Sequence, residues 1–128
     1  MSWLVRCDPS AVDEVLAAAE IAATRAARRR GLLGRDRVGG ALVLRPCRQI
    51  HTFGMRMPID VVWCADDGRV LRIATMAPGR VSRPVLGARF VIEASAGATD
   101  RWRLRVGDSL KVIAADGRDD GAEMMGPP

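Results

Sequence analysis

The strongest constraint on the fold is a turn signal between two apolar runs. The runs read IDVVWC (59–64) and RVLRIAT (69–75), and the segment between them contains Asp67-Gly68, which favours a two-residue hairpin turn. If these two residues form the turn, the register pairs Cys64 with Leu71, Val62 with Ile73 and Asp60 with Thr75. Because side chains alternate along a strand, these six share one face and Val61, Trp63, Arg72 and Ala74 share the other.

Further strands are predicted at SWLVRC (2–7), ALVLR (41–45), RFVIEAS (89–95) and within VGDSLKVIA (106–114). Residues 8–20 are left open between helix and strand: Asp8 or Ser10 could cap a helix from Ala11 to about Leu16, and EIAAT (20–24) could instead be strand. Short helices are expected over 24–35 and at 97–102, the second capped by Thr99 or Asp100. The pattern predicts an α+β fold: a compact, mostly antiparallel sheet or small barrel-like core with one or two short helices.

Residues 1–115 are expected to form a single domain, and the acidic residues 116–128, which end in Gly-Pro-Pro, a disordered tail. The sequence has no run of about 20 apolar residues. It also lacks a basic segment followed by an apolar stretch at its start, so a cytoplasmic protein without membrane contact is expected.

Cysteine and histidine usage argues against a metal site or a disulfide framework. Cys7, Cys47 and Cys64 are an odd number at wide spacings, and His51 is the only histidine. No phosphate-binding loop or dinucleotide fingerprint is present. We therefore predict neither a metal nor a cofactor.

The candidate site lies in QIHTFGMRMPIDVVW (49–63), which holds His51 and Asp60. The hairpin register places the Asp60 carboxylate beside apolar side chains, where an ionised group needs a partner. His51, Arg56 and Thr75 are the candidate partners. The carboxylate would either orient His51 or bind a ligand, or it would satisfy backbone N–H groups as a structural group.

Arginine dominates the charge of the chain, which is +5 overall. A convergent anion site is one interpretation, and solvated arginines scattered over the surface are the other; the residues concerned are Arg30, Arg35, Arg80, Arg83 and Arg89. Glu93 interrupts an apolar run and is expected to be a half-buried partner for an arginine. With three Trp and two Phe, the chain offers no clear base-stacking surface, so nucleic-acid binding is disfavoured but remains open.

Six motifs in this order resemble the domain-of-unknown-function family 192, a family of small bacterial and archaeal proteins. They are RRRGLLGR (28–35), HTFGMRMPIDVVW (51–63), DDGRVL (66–71), APGR (77–80), VIEASAG (91–97) and LRVGDSL (104–110). The resemblance implies a compact α+β fold with a barrel-like β core, and a shared neighbourhood for 51–60, Arg35, Glu93 and Gly107-Asp108. Gly54 stands where the family pattern has tryptophan. Many members are exported, whereas this sequence shows no leader.

The leading hypothesis is a domain that binds a polar or anionic small molecule in a cleft around His51–Asp60. Its candidate ligand-binding residues are His51, Thr52, Met55, Arg56, Asp60, Arg35 and Glu93. A saccharide-like ligand would suit paired Asp and Arg hydrogen bonding. One alternative is an enzyme using Asp60 and His51 as general acid and base; another is an interaction module working through an arginine-rich surface. The sequence leaves the oligomeric state open.

Overall fold

The computed structural model describes residues 2–22, 24 and 39–114, and these form a seven-stranded mixed sheet with one short helix. The strands are β1 (Ser2–Cys7), β2 (Glu14–Ala22), β3 (Ala41–Leu44), β4 (Ile59–Cys64), β5 (Val70–Met76), β6 (Phe90–Ser95) and β7 (Ser109–Ala114), and the helix is α1 (Ala98–Arg101). Their order is β5-β4-β6-β3-β2-β1-β7. Of the described pairs, β2–β3 is parallel and the others are antiparallel. The predicted α+β class with a dominant sheet is confirmed.

The sheet curls until its two edge strands touch at one end. Arg69, just before β5, forms an antiparallel bridge with Ser109 of β7. The N–H of Val70 donates to the carbonyl of Asp108 at 2.8 Å, and that of Leu110 donates to Gly68 at 2.9 Å. The strands do not pair along their full length, so the sheet is barrel-like without being closed.

Apolar side chains fill both sides of the central strands. We call the side that collects residues from both edges of the sheet the inner core; its members include Leu4, Val43, Val62, Cys64, Val70, Phe90, Ile92, Leu110 and Val112. The opposite side is the outer core, formed by the strand residues Leu42, Leu44, Val61, Trp63, Met76 and Val91 together with the loop residues Ile50, Met55 and Ala88. Two loops, 45–58 and 77–89, therefore cover the outer face of β3, β4 and β6.

The β4–β5 hairpin follows the predicted register for two of its three pairs. Asp60 faces Thr75 and Val62 faces Ile73, but Cys64 faces Val70 because the register shifts between Trp63 and Cys64. The expected pairing of Cys64 with Leu71 is wrong for this reason. The shift turns Leu71 to the other side of the hairpin, where it packs against the outer core.

The helix considered over residues 11–16 is wrong, because β2 begins at Glu14 and pairs with both β1 and β3. Asp8 caps a turn instead of a helix: its Oδ1 accepts hydrogen bonds from the N–H and the hydroxyl of Ser10, at 2.9 and 2.7 Å. The strand alternative for this segment is confirmed, since sheet pairing overrides the helix propensity of its alanines. The helix expected over 24–35 and the expected tail 116–128 lie outside the described residues, apart from Thr24.

We expect Gly68→Ala to destabilise the protein far more than Gly79→Ala. Both glycines have positive φ (91° and 78°), so each substitution carries about 1–2 kcal/mol of backbone strain. At Gly68 a Cβ would also collide with the carbonyl oxygen of Leu110, whereas at Gly79 it would meet open space. Urea unfolding of the two variants measures the difference, and equal free energies of unfolding would contradict the close approach of the hairpin turn to β7.

Candidate functional site

The first candidate residue, Asp60, is a fully buried carboxylate at the start of β4, with 1% of its surface exposed. Its Oδ1 accepts a hydrogen bond from the Thr75 hydroxyl at 2.7 Å. Its Oδ2 accepts three more, from the Thr99 hydroxyl at 2.7 Å, the Thr99 N–H at 3.0 Å and the Gly97 N–H at 3.1 Å. Four donors thus surround the carboxylate, as a buried charge requires.

Asp60 acts as the cap of α1 from the strand next to β6, which the helix follows. The N-cap residue of the helix is Gly97, which has no side chain and therefore cannot cap the helix itself. The expected cap by Thr99 or Asp100 is wrong, because Thr99 donates its hydroxyl to Asp60 instead of accepting from the helix. The carboxylate satisfies two backbone N–H groups that the first helical turn leaves without internal partners.

The surroundings of Asp60 lower its pKa. Burial by itself would raise the pKa, but the hydrogen bonds from the Thr99 and Thr75 hydroxyls and from the N–H groups of Thr99 and Gly97 outweigh it. Each of these bonds stabilises the ionised form. The group therefore stays charged at neutral pH and acts as an acceptor.

Thr52 fastens the two covering loops to each other. Its N–H donates to the carbonyl of Arg80 at 2.8 Å, and its hydroxyl donates to the carbonyl of Ala77 at 2.6 Å while accepting from the Arg80 N–H at 2.8 Å. Ser82 makes the reciprocal contact, since its hydroxyl accepts from the N–H of Ile50 at 2.9 Å. Thr52 is fully buried, so it holds the loops together and offers no surface to a ligand.

His51 and Phe53 are exposed on the same loop, whereas Met55, which would share their side if the chain were extended, is buried. The backbone turns at Gly54, whose φ is 79°, and the N–H of Met55 donates to Thr52 at 3.1 Å. This turn brings Met55 back into the outer core. Arg56 is exposed.

The structure does not bring His51 and Asp60 together as an acid/base pair. The four hydrogen bonds of Asp60 go to Thr75, Gly97 and Thr99, while the imidazole of His51 stacks on the Phe53 ring at 5.5 Å between centroids. The cleft expected around His51–Asp60 therefore has three buried members, Thr52, Met55 and Asp60, and two exposed ones, His51 and Arg56.

Glu93 is more deeply buried than expected, with 2% of its surface exposed. It lies on β6 between Leu42 of β3 and Val61 of β4, on the side of the outer core. Its carboxylate is separated by the sheet from Asp60, which faces the other side of β4. Arg35, the remaining candidate, lies outside the described residues.

The two covering loops carry a concentration of positive charge that single motifs in the sequence do not reveal. Loops 45–58 and 77–89 contain six arginines and no aspartate or glutamate. Arg45 is buried and paired with Asp66, whereas the other five, Arg48, Arg56, Arg80, Arg83 and Arg89, are exposed. Within the described part of the chain, Arg48, Arg80, Arg83 and Arg89 make no ion pair with a carboxylate.

A surface cleft of about 330 Å³ opens between the same loops. Pro46, Cys47 and Arg48 form one wall, and Ala88 and Arg89 form the other. The N–H of Cys47 donates to the carbonyl of Arg89 at 3.0 Å, which fixes the spacing of the walls. Sequence reasoning singled out Arg89 but missed Arg48 and the cleft, because the pairing of the loops is a tertiary feature.

Metal ligands do not cluster in the described residues: no group of three or more His, Cys, Asp or Glu side chains is placed to hold an ion. Burial raises the pKa of the Cys64 thiol, which keeps it protonated and poorly nucleophilic. In the described ranges, no helix has the length and apolarity needed to cross a membrane.

The curled sheet agrees with the barrel-like β core that the resemblance of the sequence motifs implies. The pattern of DUF192, described as "Uncharacterized ACR", matches residues 9–112, and the chain belongs to this family. UPF0127 proteins from Pyrococcus horikoshii and Pyrococcus abyssi are 34% and 33% identical to it over 62 and 64 residues. These matches cover 48% and 50% of this chain and about half of each relative's length (54% and 55%).

Two crystal structures share the fold. A protein of unknown function from Novosphingobium aromaticivorans superposes with a TM-score of 0.73 at 21% identity, covering 85% of this chain and 83% of that one. A protein described as a putative transcription regulator, from Sinorhizobium meliloti, gives a TM-score of 0.72 at 21% identity, covering 94% and 95%. At this identity the likeness shows the fold alone.

We expect Asp60→Ala to cost about 2–4 kcal/mol of stability, because it leaves the buried N–H and hydroxyl of Thr99 and the half-buried N–H of Gly97 without their acceptor. Asp60→Asn should cost only about 1–2 kcal/mol. Its amide oxygen can accept at the Oδ2 position while its NH₂ group faces the exposed Thr75 hydroxyl, which can rotate to accept. Chemical denaturation at neutral pH measures both values.

The same variants should differ in their response to acid. Because the folded-state pKa of Asp60 is lowered, its ionisation contributes stability above the unfolded pKa of about 3.9 and loses it as the pH falls through the folded pKa. The stability gap between the native protein and Asp60→Asn should therefore narrow below about pH 4. A gap that stays constant down to pH 2 would contradict the assignment.

Proposed function

We propose that this protein binds a small anionic molecule on the exposed arginines of loops 45–58 and 77–89. The observation that carries the proposal is that these paired loops display five exposed arginines and no acidic residue. Guanidinium groups suit carboxylate and phosphate because their planar arrangement of donors allows bidentate contact. Four of the five, Arg48, Arg80, Arg83 and Arg89, make no ion pair with a carboxylate among the described residues, so their donors are available to a ligand.

The backbone supports this surface in a fixed shape. Five backbone hydrogen bonds join the loops, from Cys47 to Arg89, Val85 to Arg48, Ser82 to Ile50, Thr52 to Arg80 and Gly79 to Thr52. The outer core lies directly beneath and holds Ile50, Met55 and Ala88. Binding would therefore require little ordering of the backbone, which favours affinity.

The cleft between Arg48 and Arg89 is the best place for the ligand. Its volume of about 330 Å³ is at the small end of ligand sites. Each wall combines an apolar residue with an arginine: Pro46 with Arg48 in one, and Ala88 with Arg89 in the other. A compact anion fits this combination better than a long polymer does.

The proposed ligand is anionic, as in the hypothesis from the sequence, but the residues that contact it are different. Asp60, Thr52 and Met55 become supports of the fold, while His51 and Arg56 remain exposed beside the cleft-forming loops. A saccharide held by Asp60 is less well supported, because all four hydrogen bonds on its carboxylate are made within the protein. The cytoplasmic location stays a prediction.

We expect thermal-shift and calorimetric titration with phosphate, pyrophosphate and citrate to detect at least one bound anion. Its affinity should fall by at least about tenfold in the double variant Arg48→Gln/Arg89→Gln, because two charge-assisted contacts are lost. The matched control is Arg69→Gln/Arg105→Gln, which removes the same charge from exposed arginines of other turns and should bind normally.

Two outcomes would contradict the proposal. One is that none of the three anions stabilises the protein. The other is that both double variants weaken binding equally, which would indicate attraction by net charge without a site. A nucleic acid that binds with a steep loss of affinity on adding salt, while none of the anions binds, would favour the interaction module instead.

A further inference from the structure

Beside the cleft, the paired loops form a short two-stranded ladder with a buried and an exposed side. His51 forms an antiparallel bridge with Val81, flanked by the hydrogen bonds from Thr52 to Arg80 and from Ser82 to Ile50. Ile50, Thr52 and Ser82 are buried on the inward side. Because side chains alternate, His51, Phe53 and Val81 emerge together on the outward side.

This outward side is a small apolar surface with two stacked rings. The rings of His51 and Phe53 lie 5.5 Å apart between centroids, at an interplanar angle of 27°. Phe53 is 53% exposed and Val81 is 55% exposed. We call His51, Phe53 and Val81 the ring platform. Single exposed apolar residues need no explanation, but two that lie beside an exposed imidazole ring on paired loops offer a face to a flat ligand.

Positive charge borders the ring platform along the chain. Arg83 lies two residues after Val81, on the same side by alternation and within roughly 7 Å along an extended chain, and the exposed Arg80 directly precedes Val81. Neither arginine has a carboxylate partner in the described part of the protein. An aromatic ring on the platform would thus place an attached anionic group beside guanidinium donors.

We propose that the ligand of this surface is an anion with a heteroaromatic ring, of the mononucleotide class. Its ring stacks on Phe53 and His51, and its phosphate is held by the arginines of loops 45–58 and 77–89. The inference rests on the proposed anion binding and adds the ring as the determinant of specificity. Stacking of a base on an aromatic side chain strengthens binding enough to distinguish ligands that share a phosphate.

The test compares AMP with ribose 5-phosphate, which has the same sugar and phosphate and lacks the base. We expect AMP to bind about tenfold more tightly to the native protein, as measured by calorimetric titration. In Phe53→Ala the two ligands should bind equally, with the affinity for ribose 5-phosphate unchanged. Phe53→Leu, which keeps an apolar side chain and removes the ring, should lose the preference as well.

Failure of this inference is distinguishable from failure of anion binding. If both ligands bind the native protein with equal affinity, the ring platform does not select the ligand, while anion binding stands. If neither binds and the simple anions also fail, both proposals fall. Full retention of the AMP preference in Phe53→Leu would overturn the stacking role.

A separate binding experiment must distinguish a free mononucleotide from a single-stranded nucleic acid, because both present a base and a phosphate. An oligomer of deoxyadenylate should bind no more tightly per base than AMP if the site takes a mononucleotide. Much tighter binding of the oligomer, falling steeply with salt, would overturn the assignment to a mononucleotide. Thermal unfolding of Phe53→Ala, whose ring is half exposed in the native protein, should match that of the native protein and excludes misfolding as the cause.

Discussion

The structure depends on the need to bury the central strands on both sides. Every residue of β3 and β4 is buried, so each of these strands needs apolar partners above and below the sheet. Curling of the sheet supplies one set, because it brings both edges around the inner core. Loops 45–58 and 77–89 supply the other set, and for this reason they are fixed parts of the core instead of free connections.

Local pattern in the sequence was enough to locate most of the sheet. The β4–β5 turn and the pairing of Asp60 with Thr75 follow from a turn signal and two alternating runs, which are close in the chain. The register shift between Trp63 and Cys64 has no local signal in the sequence. The expected register therefore placed Leu71 on the same face as Cys64, whereas it packs on the opposite face. The segment of β2 was ambiguous because alanine favours helix in isolation, while its pairing with β1 and β3 decides the outcome.

The candidate site shows the same division between local and tertiary information. Sequence alone indicated that the Asp60 carboxylate would be buried and would need partners, and both features are observed. Its main partner, Thr99, lies 39 residues further along the chain, and only the folded sheet places the two together. The lack of acidic residues in the two loops can be read from the sequence, but it gains meaning only once hydrogen bonds such as Thr52 to Arg80 join them.

The neighbouring positions of β1 and β7 bear on how the chain reaches this structure. Ser2 pairs with Ala114 and Cys7 with Ser109, so the first and last described strands lie side by side. During synthesis this ladder cannot form until β7 has left the ribosome. Contacts of such long sequence separation slow folding, because closing a long loop costs conformational entropy before strand pairing compensates for it. We therefore expect folding to be slow, with the local β4–β5 hairpin forming early and the β1–β7 ladder forming late.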